Sequence, residues 1–333
     1  MTNLYNLTAD PMRCILEYLK MDQILNLRKV SWNIQNTIDE INPNFNIRRL
    51  YISQNSPRII LTIFTDRYRT IKYKDGQGFP KGCYVNTKKN EVFVENGNFI
   101  DVFARDLEII LNNRKSVLEQ FRIKLGLNDE INNKLMTAIS TGLESNLQQL
   151  KAKELEMNVT NQAQIYEVFR CINPEKLELI KLSKPGTHFD SVPLEINGAC
   201  ELEQWNHTEI LEMKGLIVPD IHHNFTHFKR FEVKVNKITP DDLLFLKENL
   251  KKSLNFEEAI VWYVSFNDSE RLSQLFPEFQ YNKEADNYCI FKFSDTNRYL
   301  GFKLFPYWSI VIKTLDESEV TDWFVNDVHI INE

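Results

Sequence analysis

The chain has 333 residues, of which 40 are basic and 46 acidic, and its formal net charge is −6 at pH 7. Hydrophobic residues make up 43% of it, and 10 Gly with 11 Pro are too few for a collagen-like, linker-like or disordered protein. An acidic chain of this kind does not match a general binder of nucleic acid or anionic membranes. Its five cysteines are widely spaced, which predicts reduced thiols in an intracellular protein, cytoplasmic or nuclear.

The first 42 residues predict three short helices, because apolar residues recur there at helical spacing. The first helix carries Met12, Ile15, Leu16 and Leu19, the second Ile24, Leu27 and Val30, and the third Ile34, Ile38 and Ile41. Three helices of this size cannot bury so many apolar side chains among themselves. The excess packs either on the rest of the chain, as an N-terminal cap, or on another protein, and periodicity does not choose between the two.

The order of residues in this segment resembles the F-box. The matching pieces are Leu4-x-x-Leu7-Thr8-x-x-Pro11-x-x-x-Ile15-Leu16-x-x-Leu19, Leu25-x-Leu27-Arg28-Lys29-Val30-Ser31-Trp32 and Ile38-Asp39. The resemblance implies a three-helix module that docks on a Skp-type adaptor and, through it, on a cullin. The adaptor contacts of the family fall here on Leu7, Ile15, Leu16, Leu19, Leu27, Val30 and Trp32. Where the family usually has Leu-Pro at the start, this chain has Leu7-Thr8.

Beyond residue 45 the pattern predicts short strands, followed by alternating strands and helices. Strands are expected at 46–53, 58–64, 67–73, 82–86, 91–95, 120–125, 153–159, 177–182, 209–213, 228–235, 257–264, 287–294 and within 298–314. Helices are expected at 99–111, 134–150, 164–171 and 240–253. We therefore expect a mixed α+β or α/β fold, whose strand–helix units form an irregular leucine-rich-repeat-like stack. A compact α/β sandwich is the alternative.

A second segment is similar to the FTH domain, which follows an F-box in the nematode F-box A family. The matching pieces are Leu202-Glu203-Gln204-Trp205, His227-Phe228-x-x-Phe231-x-Val233, Ile238-Thr239-Pro240-Asp241-Asp242-Leu243 and Leu250-x-x-Ser253-x-x-Phe256-Glu257. Together the two resemblances predict an F-box at 1–45, a β-rich connecting segment at 46–98, an FTH domain at 99–265 and C-terminal strands at 266–333.

A search for catalytic or metal-binding patterns finds none that is complete. His222, His223 and His227, with Asp220 nearby, lack the full set of closely spaced ligands that a zinc site needs. Cys83 follows a glycine but has no neighbouring base in sequence to activate it. We therefore expect no catalytic residues, no metal and no cofactor.

These observations favour a non-catalytic adaptor that recognises the substrate of a Skp–cullin–F-box ubiquitin ligase. Its partners would be a Skp-type adaptor, a cullin and an unknown protein target, with no nucleic acid and no membrane. Large aromatic residues are common at interfaces and in cores alike, so the candidates for target contact are Trp205, Trp262 and Tyr263, with Trp308 beside them. The alternative is a protein–protein interaction scaffold without a ubiquitin role.

Overall fold

The structure is a computed structural model of the chain. It describes residues 9–28, 30–76, 80–88, 90–114, 116–145, 148–186, 191–222, 225–266, 269–276, 287–293, 297–305, 308–323 and 330–331. The chain divides into two compact units. The first comprises Met1–Glu154 with Arg170–Lys176, and the second comprises Leu155–Phe169 with Leu177–Glu333.

The first unit begins with three helices, continues as a run of strands and then alternates. Its elements are α1 (Ala9–Tyr18), α2 (Met21–Leu27), α3 (Trp32–Ile41), β1 (Arg49–Asn55), β2 (Arg58–Phe64), β3 (Tyr68–Gly76), β4 (Gly82–Thr87), β5 (Glu91–Glu95), α4 (Phe99–Asn112), β6 (Leu118–Lys124) and α5 (Asp129–Glu144). Strands β1 to β5 form an antiparallel meander, and β6 pairs with β1 in parallel. The sheet of this unit is therefore mixed.

One face of the first sheet forms the core of the unit. In β1 and β2 every second side chain is buried, as expected when only one face of a strand is covered. Helix α4 contributes an apolar stripe whose members are Phe99, Ile100, Phe103, Leu107, Ile110 and Leu111. The Tyr73 and Phe103 rings meet edge to face at 5.6 Å between centroids, which places α4 against β3.

The second unit alternates strands and helices and then ends in a hairpin-rich segment. Strand β7 (Ala152–Asn158) enters it, followed by α6 (Gln162–Phe169), β8 (Leu179–Ser183), β9 (Val192–Pro193), α7 (Asn197–Cys200), α8 (Glu203–His207), β10 (Ile210–Lys214), β11 (Leu216–Ile217), β12 (Arg230–Ile238), α9 (Pro240–Leu250), β13 (Glu258–Phe266), α10 (Ser269–Leu275), β14 (Asn287–Lys292), β15 (Arg298–Phe305), β16 (Ser309–Asp316), α11 (Glu317–Trp323) and β17 (Ile330–Ile331).

The sheet of the second unit has a parallel part and an antiparallel part. Strands β8, β10, β12 and β13 pair in parallel in that order. Strand β13 then pairs antiparallel with β16, β16 with β15 and β15 with β14, while β17 pairs in parallel with β14. The short strands β9 and β11 make a separate parallel pair.

Local sequence signals explain where the helices begin. Asn98 and Asn128 cap α4 and α5, because each side-chain oxygen accepts a hydrogen bond from a backbone N–H of the first turn. Thr239 and Asp242 form a reciprocal capping box at the start of α9, with Pro240 in the first turn. Such caps satisfy backbone donors that the helix itself leaves unpaired.

The mixed α/β class and most of the expected strands and helices are confirmed. Helix α5 begins earlier than expected, at Asp129 rather than residue 134, since Asn128 caps it. The leucine-rich-repeat-like stack is not confirmed, because the parallel run ends at β13 and the sheet continues antiparallel. The four predicted domain segments stay predictions. In the described ranges, no helix has both the length and the apolar character needed to cross a membrane.

Candidate functional site

The three N-terminal helices form a small module with its own core. Its buried apolar side chains, each at most 7% exposed, are Met12, Leu16, Met21, Ile24, Ile34 and Ile38. Helix α3 is closed at both ends: the Ser31 hydroxyl accepts from the Ile34 N–H at 3.3 Å, and Asn42, at φ 49°, donates its N–H to the Ile38 carbonyl. Helical spacing in the sequence predicted five of these residues, all except Met21, to lie on the apolar stripes of the three helices.

Leu16 is a correction to the set of residues predicted to contact an adaptor. Its side chain is only 2% exposed, so it packs inside the module and cannot offer its surface to a partner. The sequence misassigned it because an amphipathic face can turn toward either neighbour. The contacts predicted for the other residues stay predictions, and Leu7 lies outside the described residues.

Three large apolar side chains of the module are accessible in the described structure. Tyr18 is 88% exposed at the end of α1, Val30 is 55% exposed after α2, and Trp32 is 74% exposed at the start of α3. Ile15, Leu19 and Leu27 are half-buried. The module therefore buries part of its apolar surface and leaves part accessible to a partner.

An ion pair that sequence reasoning did not find joins α2 to α3. The Arg28 guanidinium contacts both carboxylate oxygens of Asp39, with nitrogen–oxygen distances of 2.7 and 2.8 Å. Asp39 accepts these hydrogen bonds and thereby raises the pKa of Arg28, and the Asp106 carboxylate on α4 adds to the rise. A two-pronged pair of this geometry fixes orientation as well as distance. It holds the turn that carries Val30.

The module is also tied to the rest of the first unit. The Phe45 N–H donates to the Asn113 carbonyl at the end of α4, at 2.9 Å, and the Phe45 ring is buried. The Ser116 hydroxyl donates to the Ile47 carbonyl at 3.1 Å. These contacts fix the chain as it leaves α3, so the exposed side chains are presented from an anchored module.

Two of the aromatic residues predicted to contact a target are buried in the second unit. Trp205 is 0% exposed and meets the Phe225 and Phe228 rings at centroid distances of 6.1 and 5.4 Å. Tyr263 is 4% exposed, and its hydroxyl donates to the Phe305 carbonyl at 2.6 Å. Both therefore stabilise the core and are corrections to the candidate set.

Trp262 and Trp308 are accessible, in contrast. Trp262 is 39% exposed, and its indole N–H donates to a Glu232 carboxylate oxygen at 3.0 Å. Trp308 is 59% exposed just before β16, and its carbonyl accepts from the Tyr263 N–H at 3.0 Å. That bond places Trp308 beside β13, the strand that carries Trp262.

The second sheet presents one covered face and one accessible face. In β12 the residues Phe231, Val233 and Val235 are buried, while the alternating residues are half-buried or exposed. The same alternation holds in β8, β10 and β13. We call the accessible side the open face. Its residues are Leu179, Lys181, Ser183, Ile210, Glu212, Lys214, Arg230, Glu232, Lys234, Glu258, Ile260, Trp262, Lys303, Phe305, Val311 and Lys313.

The residues considered for metal or covalent chemistry are separated in the structure. His222 contacts the Asp242 carboxylate and the Phe245 ring, whereas a ring nitrogen of His227 contacts the Trp205 carbonyl at 3.0 Å. His223 lies outside the described residues. Within those described, no group of three potential ligands could hold a metal ion. Burial raises the pKa of the Cys83 thiol, which disfavours the reactive thiolate.

Comparison with known proteins gives two family matches and a relative. The family model for the F-box domain matches residues 4–46, and the model for the FTH domain matches residues 133–278. F-box A protein 224 of Caenorhabditis elegans is 23% identical over 298 residues, which cover 84% of this chain and 71% of that protein. No solved structure matches.

An F-box domain in general implies the role of a substrate adaptor in a Skp–cullin–F-box ubiquitin ligase, and F-box proteins are generally non-catalytic. The open apolar residues of α1 to α3 lie within the matched F-box. The parallel strands from β8 to β13 lie within the matched FTH domain. The chain therefore carries a match to the F-box domain at residues 4–46 and a match to the FTH domain at residues 133–278, and both domains were predicted from the sequence.

Proposed function

We propose that this chain selects a protein target for a Skp–cullin–F-box ubiquitin ligase. Its F-box would dock on a Skp-type adaptor, and its FTH domain would hold the target. The observation that supports the first half is the accessible apolar set on an anchored three-helix module, above all Trp32 at 74% exposure. Tryptophan residues supply a large share of the binding energy at many interfaces.

In this proposal the chain accelerates ubiquitin transfer by proximity alone. Two linked binding sites raise the effective concentration of the target near the transfer machinery, and neither site needs a reactive group. A rigid connection between docking surface and carrier favours this mechanism, because loose tethering lowers the effective concentration. The Arg28–Asp39 pair and the bond from Phe45 to Asn113 supply rigidity within the first unit.

We also place the chain in the cytoplasm or nucleus as part of this proposal. All five cysteines are free thiols. Free thiols agree with a reducing compartment.

The test of adaptor docking is a charge introduced on the accessible set of the F-box. We expect Val30→Glu to abolish co-purification of the full chain with a co-expressed Skp-type adaptor and cullin, because a buried carboxylate without a partner is costly at an interface. The matched control is Val92→Glu on β5, since Val92 and Val30 are both 55% exposed. Equal capture of both variants would contradict docking through Val30.

The alternative function is an interaction scaffold without a ubiquitin role. The observation in its favour is Thr8, which stands where the F-box family usually has proline. A scaffold would bind its target through the FTH domain yet fail to co-purify with adaptor and cullin. Retention of both proteins by the unmodified chain, together with their loss in Val30→Glu, excludes this alternative.

A further inference from the structure

The open face places side chains from six strands in continuous rows. In one row, strand pairing sets Lys181 beside Glu212, Glu212 beside Glu232, and Glu232 beside Ile260. In the next row, Lys234 lies beside Trp262, and Trp262 beside Ser309. Because residues paired in register point to the same side of a sheet, these rows form one surface.

The charge of this surface is opposite to that of the chain. Six of its side chains are cationic, namely Lys181, Lys214, Arg230, Lys234, Lys303 and Lys313, and three are anionic, namely Glu212, Glu232 and Glu258. Two of the cations also pair with carboxylates outside this set, Arg230 with Glu257 at 3.4 Å and Lys313 with Glu319 at 3.3 Å. The chain as a whole has a net charge of −6. A cationic surface on an acidic protein attracts an acidic partner and orients its approach.

The glutamates of the open face are themselves engaged. Glu212 lies 3.8 Å from the Lys181 ammonium and 3.9 Å from that of Lys214. Glu232 accepts the indole N–H of Trp262, which holds the tryptophan ring in place. Lys234 donates to the Ser191 hydroxyl at 3.0 Å, and this hydroxyl carries no charge that could offset the ammonium. The Lys234 ammonium therefore lies beside a tryptophan ring that is held in place.

Apolar surface accompanies the charge near Trp262. Val264 is 56% exposed two residues farther along β13, and Trp308 is 59% exposed beside the same strand. The Lys303 ammonium lies over the Phe305 ring at 4.6 Å. An aromatic anchor flanked by lysines suits a segment that carries apolar and acidic side chains together.

We infer that the open face binds an acidic segment of the target protein, with an apolar side chain against Trp262 and carboxylates toward Lys214 and Lys234. This inference rests on the proposed function, because it names the surface and the partner chemistry of target recognition. Protein is favoured over nucleic acid because the cations alternate with Glu212, Glu232 and Glu258: a peptide can place separate carboxylates at Lys214 and Lys234, whereas a continuous phosphate backbone would also pass over the glutamates.

The test uses the full chain and a fluorescent peptide of about twelve residues, in which glutamates flank a central Leu-Phe pair. Fluorescence anisotropy at low salt measures its affinity. We expect binding about tenfold or more tighter than that of a matched peptide with lysine in place of glutamate. A peptide with serine in place of Leu-Phe should also bind less tightly.

Variants locate the binding surface. The double variant Lys214→Glu and Lys234→Glu should weaken binding of the acidic peptide by about tenfold or more, and Trp262→Ala by about fivefold or more. The control carries the same charge change on β3 of the first unit, Lys72→Glu with Lys74→Glu, and should bind within about twofold of the unmodified chain.

Several results would overturn the inference: no binding at about 1 mM acidic peptide, equal binding of the basic peptide, or equal losses in the control variant. Tighter binding of a single-stranded RNA oligonucleotide would overturn it in favour of nucleic acid. Adaptor capture by the same variants separates the two proposals. If capture holds while peptide binding fails, only the inference falls; if peptide binding holds while capture fails, only the ligase role falls.

Discussion

A substitution of Leu16 best distinguishes a residue that stabilises the F-box from a residue that binds the adaptor. Leu16→Ala removes three carbon atoms from a side chain that is 2% exposed on α1. Each buried methylene contributes about 0.8 kcal/mol, and the cavity left behind adds to the loss. We expect the module to lose about 3 kcal/mol of stability, within the range of about 2–5 kcal/mol for buried Leu→Ala changes.

The loss should be concentrated in the three helices. A change of about 3 kcal/mol corresponds to a loss of more than about a hundredfold in protection, since each factor of ten is about 1.4 kcal/mol. Hydrogen exchange read by mass spectrometry should show this for peptides covering α1 to α3. The control is Val30→Ala, which should change protection little because Val30 is 55% exposed.

Adaptor capture completes the experiment, because the two variants are expected to behave in opposite ways. Val30→Ala should weaken adaptor capture and leave hydrogen exchange unchanged. Leu16→Ala should lower the hydrogen-exchange protection of α1 to α3, and any loss of capture should follow from that loss of stability. If Leu16→Ala abolished capture with unchanged exchange, Leu16 would be a docking residue after all. That result would refute its assignment to the core.

Three further predictions concern the interior. Trp205→Ala should cost about 3–5 kcal/mol in urea unfolding, because Trp205 is fully buried between phenylalanine rings. Gln54→Met should raise the free energy of unfolding in urea by about 1 kcal/mol, because the buried Gln54 amide has no hydrogen-bond partner among the described residues. Burial, then the Asp106 carboxylate, raises the pKa of Tyr73 well above its ordinary value. The folded chain therefore holds this proton more tightly; the stability it contributes is complete below about pH 10 and is lost as pH rises toward the folded pKa. Tyr73→Phe should reduce the fall in unfolding free energy between pH 9 and pH 11, and an unchanged fall would contradict this assignment.

Local pattern was sufficient for most elements of the chain. The period of apolar residues placed α1, α3, α4 and α9, because each of these helices buries one stripe. The sequence also contains a helix-start signal that the prediction of α5 did not use. Asn128 with the acidic pair Asp129-Glu130 marks the start of α5, and the capping preference follows from unpaired backbone donors.

Trp262 and Tyr263 show that local sequence pattern cannot predict which face of a strand is buried. They are neighbours in β13, so one points to each face of the sheet. Val261 and Val264 on either side of them are apolar as well, and alternation of polarity therefore cannot tell the covered face from the open one. Only the packing of the second unit buries Tyr263 and leaves Trp262 accessible.

The sequence by itself determined the helical module, the strand–helix alternation and the resemblance to F-box and FTH domains, because periodicity, caps and motifs are local properties of the chain. Tertiary structure decided that Leu16 and Trp205 are interior, that Arg28 reaches Asp39, and that the open face collects cations from five strands. These outcomes depend on which residues distant in sequence become neighbours, and strand register and helix packing set that only when the whole unit folds.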